Sequence, residues 1–132
     1  MPAQILLIDD DADDQLIFRE IIQEITTQVE CIVAGNGLEG LGLLNKMQPP
    51  PAIIFLDLNM PLVNGWEFLG RIKPNDKFNQ IPIIILTTSD NKPDKKKAIE
   101  HGARMSITKT ADLDSLRGSI REILKAELLL QD

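Results

Sequence analysis

Short apolar runs that end in polar or acidic residues alternate along this chain with longer stretches whose apolar residues recur every three or four positions. The most informative run is Ile53-Ile54-Phe55-Leu56, bounded by Pro49-Pro50-Pro51 before and Pro61 after, and closed by Asp57. So short and so continuous an apolar run predicts a strand buried on both faces, as at the centre of a parallel sheet. Gln4-Ile5-Leu6-Leu7-Ile8 is a second such run and closes on Asp9 and Asp10. Val29 to Ala34 predicts a strand that Gly35-Asn36-Gly37 interrupts. Ile81 to Ser89 predicts a fourth strand, with Pro82 at its start, where a missing N–H does least harm. Arg104 to Thr108, followed by Lys109, predicts a short fifth.

The segments between these runs carry a helical period. Leu16, Ile17, Phe18, Ile21, Ile22 and Ile25 form one apolar stripe, and a residue among Asp11 to Asp14 is placed to cap it. Leu38, Leu41, Leu43, Leu44 and Met47 predict a second helix, weakened by Gly40 and Gly42 at ~1 kcal/mol each against alanine. Asn64 to Ile72 predicts a third, with Trp66, Leu69 and Ile72 on one side. Asp90 to Gly102 predicts a less apolar fourth, with Pro93 in its first turn and Gly102 as terminator. Leu113, Leu116, Ile120, Ile123, Leu124 and Leu128 predict a fifth. Five strands alternating with five helices require right-handed crossovers, which gives an α/β chain built on a parallel sheet.

The 132 residues fit one domain, expected over residues 1–132 with no effector domain. The net charge of -6 argues against direct DNA binding, which needs cations to displace the counterions of phosphates. Five acids are concentrated between Asp9 and Asp14. Cys31 is the one cysteine, so no disulfide forms within the chain, and a cytoplasmic location is expected. The amino terminus lacks the pattern of a signal peptide, and no apolar run approaches the ~20 residues that span a bilayer.

The candidate chemistry stands at the strand ends: Asp9, Asp10, Asp57, Thr87 and Lys109. In an open parallel sheet the carboxyl ends of the strands form the crevice that binds ligands. Carboxylates meeting there raise one another's pKa values unless a cation joins them, and hard oxygen donors suit Mg2+. Such a site, with the Lys109 ammonium and the Thr87 hydroxyl, is complementary to a phosphoryl group on Asp57, a carboxylate able to act as nucleophile. Each residue also has a plainer reading. Asp57 can cap a turn, Thr87 can be a simple strand former, and Lys109 can be a surface lysine. Asp11, Asp13 and Asp14 read as a solvated helix start, and Lys95-Lys96-Lys97 as a solvated helix face. Trp66 and Phe68 read as packing residues, and His101 as a residue placed favourably near a helix end.

Taken together, LLIDDD, FLDLNMP with Asn64-Gly65 three residues on, IIILTTS and the lysine after the fifth strand resemble the receiver domain of bacterial response regulators. That resemblance implies a doubly wound (βα)5 fold with flavodoxin-like strand order 2-1-3-4-5. It implies Asp57 as phosphoacceptor, Asp9 and Asp10 as the acidic pair, the backbone carbonyl of Asn59 as a further ligand of Mg2+, Thr87 as the switch hydroxyl and Lys109 as the phosphoryl-binding ammonium. It implies a stand-alone signalling phosphoacceptor rather than an enzyme. The implied partners are a sensor histidine kinase or histidine phosphotransfer protein and an unidentified downstream protein, with Asn59 and Ser89 tuning the approach of water.

Two positions depart from the family pattern: Ser106 stands where an aromatic residue is usual, and Thr110 where proline is usual. A Lys109–Thr110 bond is therefore expected to be trans, since a cis bond without proline costs about 2.5–4 kcal/mol. Leu128-Leu129-Leu130 suggests a homodimer through the fourth and fifth helices. Other classes fit less well. A flavodoxin-like cofactor carrier would have its phosphate repelled by Asp9 to Asp14, and an aspartyl phosphatase lacks a second acid two residues beyond Asp57. An EF-hand would need glycine where Asp14 stands. A phosphorylation-independent receiver-like interaction module would be expected to have lost an acidic ligand, the threonine or the lysine.

Overall fold

The computed structural model describes residues 3–58, 60, 62–88 and 92–128. Five strands, β1 (Ala3–Ile8), β2 (Val29–Ala34), β3 (Ile53–Asp57), β4 (Ile83–Thr87) and β5 (Met105–Thr108), alternate with five helices, α1 (Ala12–Ile25), α2 (Gly37–Lys46), α3 (Gly65–Ile72), α4 (Lys92–Glu100) and α5 (Leu113–Leu128). All neighbouring strands pair in parallel, in the order β2-β1-β3-β4-β5. No helix among the described residues is long and apolar enough to cross a membrane.

The continuous apolar character of β1, β3 and β4 follows from burial of both sheet faces. Along each strand successive side chains point to opposite sides, so one run of residues supplies two cores. Leu6, Ile8, Ile54, Leu56, Ile83 and Ile85 join Leu44, Phe68, Leu69, Ile72 and Ala98 in the layer beneath α2, α3 and α4. Ile5, Leu7, Ile53, Phe55, Ile84, Leu86 and Ile107 join Phe18, Ile21, Ile22, Ile120, Ile123 and Leu124 in the layer beneath α1 and α5.

Side chains close the helix starts. Asp11 accepts from the Asp13 and Asp14 amides and caps α1. Asn36 caps α2, and Asn64 caps α3 in a reciprocal box with Glu67. Asp112 accepts the Ser115 amide at the start of α5. These caps satisfy N–H groups that the helix itself leaves without partners.

Several boundaries are tighter than the sequence pattern suggested. β4 begins at Ile83 rather than Ile81, because Pro82 offers its carbonyl to Ile54 but has no N–H to extend the ladder. α4 ends at Glu100, where the His101 and Gly102 amides turn back on the preceding carbonyls and Gly102 takes a left-handed φ of 105°. Ser89 and Asp90 lie outside the described residues, as do Leu129 and Leu130, on which the dimer expectation rests.

α4 is anchored lightly. Ala98 is buried, while Ile99 is 48% exposed. Lys97 is not simply solvated, since its ammonium lies 4.5 Å from the centre of the Trp66 ring. His101 packs edge-on against the same indole at 5.6 Å and contacts the Lys97 carbonyl through Nδ1 at 2.8 Å.

The two glycines of α2 are not equivalent. A Cβ at Gly40 would approach Ile8 Cδ1 to 2.5 Å and Phe68 to 3.4 Å, so this glycine lets α2 lie close to the sheet. A Cβ at Gly42 would meet nothing within 4 Å. Gly42→Ala is therefore expected to stabilise the fold by ~1 kcal/mol through helix propensity, whereas Gly40→Ala destabilises it. Urea denaturation of the two variants checks the opposite signs.

Candidate functional site

The fold carries the candidate residues to one rim. Asp57 is the last residue of β3 and Thr87 the last of β4, while Asp9 follows β1 directly and Lys109 follows β5. Strand alternation then sorts them by side. Asp57 continues the Ile53 and Phe55 side, Asp9 lies two residues beyond Leu7, and Lys109 lies two beyond Ile107, all facing α1 and α5. Thr87 continues the opposite side, that of Ile83 and Ile85. The Lys109 amide donates to the Thr87 carbonyl at 2.7 Å, which ties the ends of β4 and β5 together.

The Lys109 ammonium is the hub of the site. It lies 2.8 Å from Asp9 Oδ2, 3.0 Å from Asp14 Oδ2 and 3.2 Å from Asp57 Oδ2, with its side chain 15% exposed. Asp14 is the residue that sequence reasoning passed over, as one of several acids at a helix start. Asp11 fits that reading as the cap of α1, but Asp14, one helical turn beyond it, faces Lys109. The available signal was helical spacing: Ile17 and Phe18, which pack toward the sheet, follow Asp14 by about one turn and so share its face.

The charges do not balance. Burial alone would lower the Lys109 pKa, but hydrogen bonds to Asp9 and Asp14 and the nearby Asp57 outweigh it and hold the ammonium above the usual lysine range. Asp9 moves up from its ordinary value of 3.8, chiefly through burial. Lys109 and the Asp11 amide pull Asp9 down, and Asp57 pushes it further up. The two shifts differ in cause: at the ammonium three carboxylates outweigh burial, whereas at Asp9 burial outweighs the pull of Lys109 and the Asp11 amide.

Asp9, Asp10 and Asp57 bring one carboxylate oxygen each within 4.8 Å of one another, with Asp9 and Asp57 buried and Asp10 exposed. This hard-oxygen set, carrying more negative charge than Lys109 neutralises, fits a divalent cation that retains water on its open side. Asn59, expected to add its carbonyl, lies outside the described residues.

The β3–α3 loop is held from two sides. A Cβ at Gly65 would come within 2.7 Å of the Asp57 carbonyl and of Leu58 Cα, so this glycine lets α3 start directly against the end of β3. A Cβ at Gly37 would lie 1.9 Å from the Val63 carbonyl. Between these contacts Leu62 adopts φ 54° with 64% of its surface exposed. A left-handed backbone costs an ordinary residue about 1–2 kcal/mol.

A family model for the response regulator receiver domain matches residues 5–121. The chain belongs to this family. Response regulator Rcp1 of Synechocystis sp. is 33% identical over 120 residues, covering 87% of this chain and 82% of Rcp1. The phosphorylated cyanobacterial phytochrome response regulator RcpA superimposes with a TM-score of 0.87 at 28% identity, covering 97% of this receiver and 95% of RcpA. The Mn2+-bound form of response regulator Rcp1 gives a TM-score of 0.84 at 30% identity over 98% of both chains. The five-stranded order found here is that of a receiver, and membership assigns the chain to two-component signalling.

Both departures from the receiver pattern have structural counterparts. The Lys109–Thr110 bond is trans; among the described residues, Gln48–Pro49 is the cis peptide bond. Ser106, half-buried on β5, borders an open groove of about 480 Å³ that Thr108, Thr110, Ser115 and Ser119 line with hydroxyls.

The raised Asp9 pKa has a signed consequence. Asp9 holds its proton more tightly in the folded protein than in the unfolded chain, so its contribution to stability is present below pH 3.8 and is lost as pH rises through the folded value. Asp9→Asn removes that loss. Relative to the parent chain, the variant is expected to gain stability as pH rises above 3.8 and to level off once Asp9 is ionised, as measured by urea denaturation at several pH values without divalent cations.

Proposed function

We propose that this receiver accepts a phosphoryl group onto Asp57 from a phosphohistidine of a sensor histidine kinase or histidine phosphotransfer protein, and signals through a conformational switch. One observation carries the reading: the Asp57 carboxylate sits at the mouth of a rim where a half-buried ammonium and further carboxylates are already gathered. In the transfer, an Asp57 oxygen attacks phosphorus in line, the new P–O bond forms as the P–N bond breaks, and the freed imidazole leaves on the donor. Lys109 stabilises the negative oxygens of the transferring group, and the excess of carboxylates keeps that lysine protonated. Asp9, Asp10 and Asp57, with the Asn59 carbonyl, are the proposed ligands of Mg2+. When bound, this ion neutralises charge between the carboxylate and the incoming phosphoryl. Rcp1 with Mn2+ and phosphorylated RcpA support this reading by similarity.

Among the described residues, four of the six exposed large apolar side chains, Leu16, Leu38, Leu62 and Leu113, belong to segments that open at this rim. They suit a protein donor. The other two, Ile99 and Met105, lie on α4 and β5. The proposed output follows from the same placement. Once phosphoryl oxygens draw on Thr87 and Lys109, the joined ends of β4 and β5 shift, and lightly anchored α4 moves at low cost. The response is read on the surface of α4, β5 and α5. A phosphorylation-independent module is disfavoured because each acid, the threonine and the lysine is present.

A small acyl phosphate with Mg2+ is expected to add one phosphoryl group to the parent chain and none to Asp57→Asn, as read by intact mass. An adduct of equal yield on Asp57→Asn would overturn the assignment. Mg2+ is also expected to raise the Tm of the parent at neutral pH, and Asp10→Asn to lose most of that rise in a thermal melt.

A further inference from the structure

Leu62 is an exposed leucine in a backbone region that L residues with a Cβ rarely adopt, five residues after Asp57. Neither feature helps the free protein. Asparagine or glycine would suit the φ better, and a buried leucine would contribute apolar burial. The conformation persists because the loop is clamped. Val63, half-buried, packs against the core and its carbonyl abuts Gly37, while Gly65 is pressed onto the Asp57 carbonyl and Leu58. These clamps leave Leu62 on the outer turn of the loop, at the rim that holds Asp57. Leu38, 53% exposed, follows the Gly37 contact and extends the apolar surface on the α2 side.

From this we infer that Leu62 is a specificity anchor for the protein phosphodonor, seated against apolar side chains that surround the donor's phosphohistidine; the inference rests on the reading of Asp57 as phosphoacceptor. Charge selects the same occupant. The rim at the end of β3, from which the loop carrying Leu62 departs, gathers the carboxylates of Asp9, Asp10, Asp14 and Asp57 with one ammonium. An acidic partner is repelled there, and one with an apolar or basic surround to its histidine is accepted. A strained residue kept at a docking edge is a recognised pattern, in which the surrounding structure over-determines a costly backbone. Labelling by a small phosphodonor needs no docking surface, so the effect of Leu62 is expected with protein donors alone.

The test compares Leu62→Asn, which suits the left-handed backbone and removes the apolar contact, with Leu62→Met, which keeps an apolar side chain. Purified sensor kinases from the source genome are autophosphorylated with ATP, and the fastest donor to the parent chain is used. Leu62→Asn is expected to raise Tm by a few degrees, to leave labelling by a small acyl phosphate unchanged, and to raise KM for the kinase about tenfold with kcat retained. Leu62→Met is expected to stay near the parent in KM. An unaltered KM in Leu62→Asn would overturn the inference, as would a parent chain that the small donor labels but no kinase does. Failure of the small donor to label the parent chain would instead sink the reading of Asp57, so the two are distinguished.

Discussion

One half-buried ammonium organises the working end of this receiver. Lys109 reaches from beyond β5, at one edge of the sheet, to carboxylates that arrive from β1, α1 and β3. Removing any charge from water is costly, and the cost is offset here by mutual satisfaction of groups that are distant in sequence. The offset is incomplete by design of the charge count. Acids outnumber the cation, so the rim retains an affinity for further positive charge.

The remainder of the fold serves to bring these groups to one place. Strand alternation sends Asp9, Asp57 and Lys109 to the α1/α5 side and Thr87 to the other. The Thr87 carbonyl and the Lys109 amide nonetheless join the two sides through the backbone. Gly65 and Gly40 play a different part, letting α3 and α2 approach the sheet closely enough for the loops at the rim to be fixed. A rigid frame thus carries a site whose polar groups are held by packing as well as by one another.

Much of this was legible in the residues. Five runs carried the strand count, and the acids, threonine and lysine that close four of them marked the edge at which chemistry gathers; in β1, β3 and β4, burial on both faces leaves a near-continuous apolar signature. The less legible features were those set by three-dimensional neighbours. Asp14 sits in a run of acids whose members look alike in sequence, and only the helix phase distinguishes the one that turns inward from Asp11 and Asp13. Gly40 and Gly42 likewise read as equal weaknesses, yet Ile8 and Phe68 press on one and nothing presses on the other. The left-handed Leu62 violates its own local preference, so no propensity argument could reach it.

The chain's single tryptophan occupies a position of some use. Trp66 lies on α3, but its ring is covered by the Lys97 ammonium and flanked by the His101 imidazole, both supplied by α4 and its terminal turn. Indole emission responds to nearby cations and to imidazole protonation, so the receiver has its own optical gauge of how closely α4 is docked.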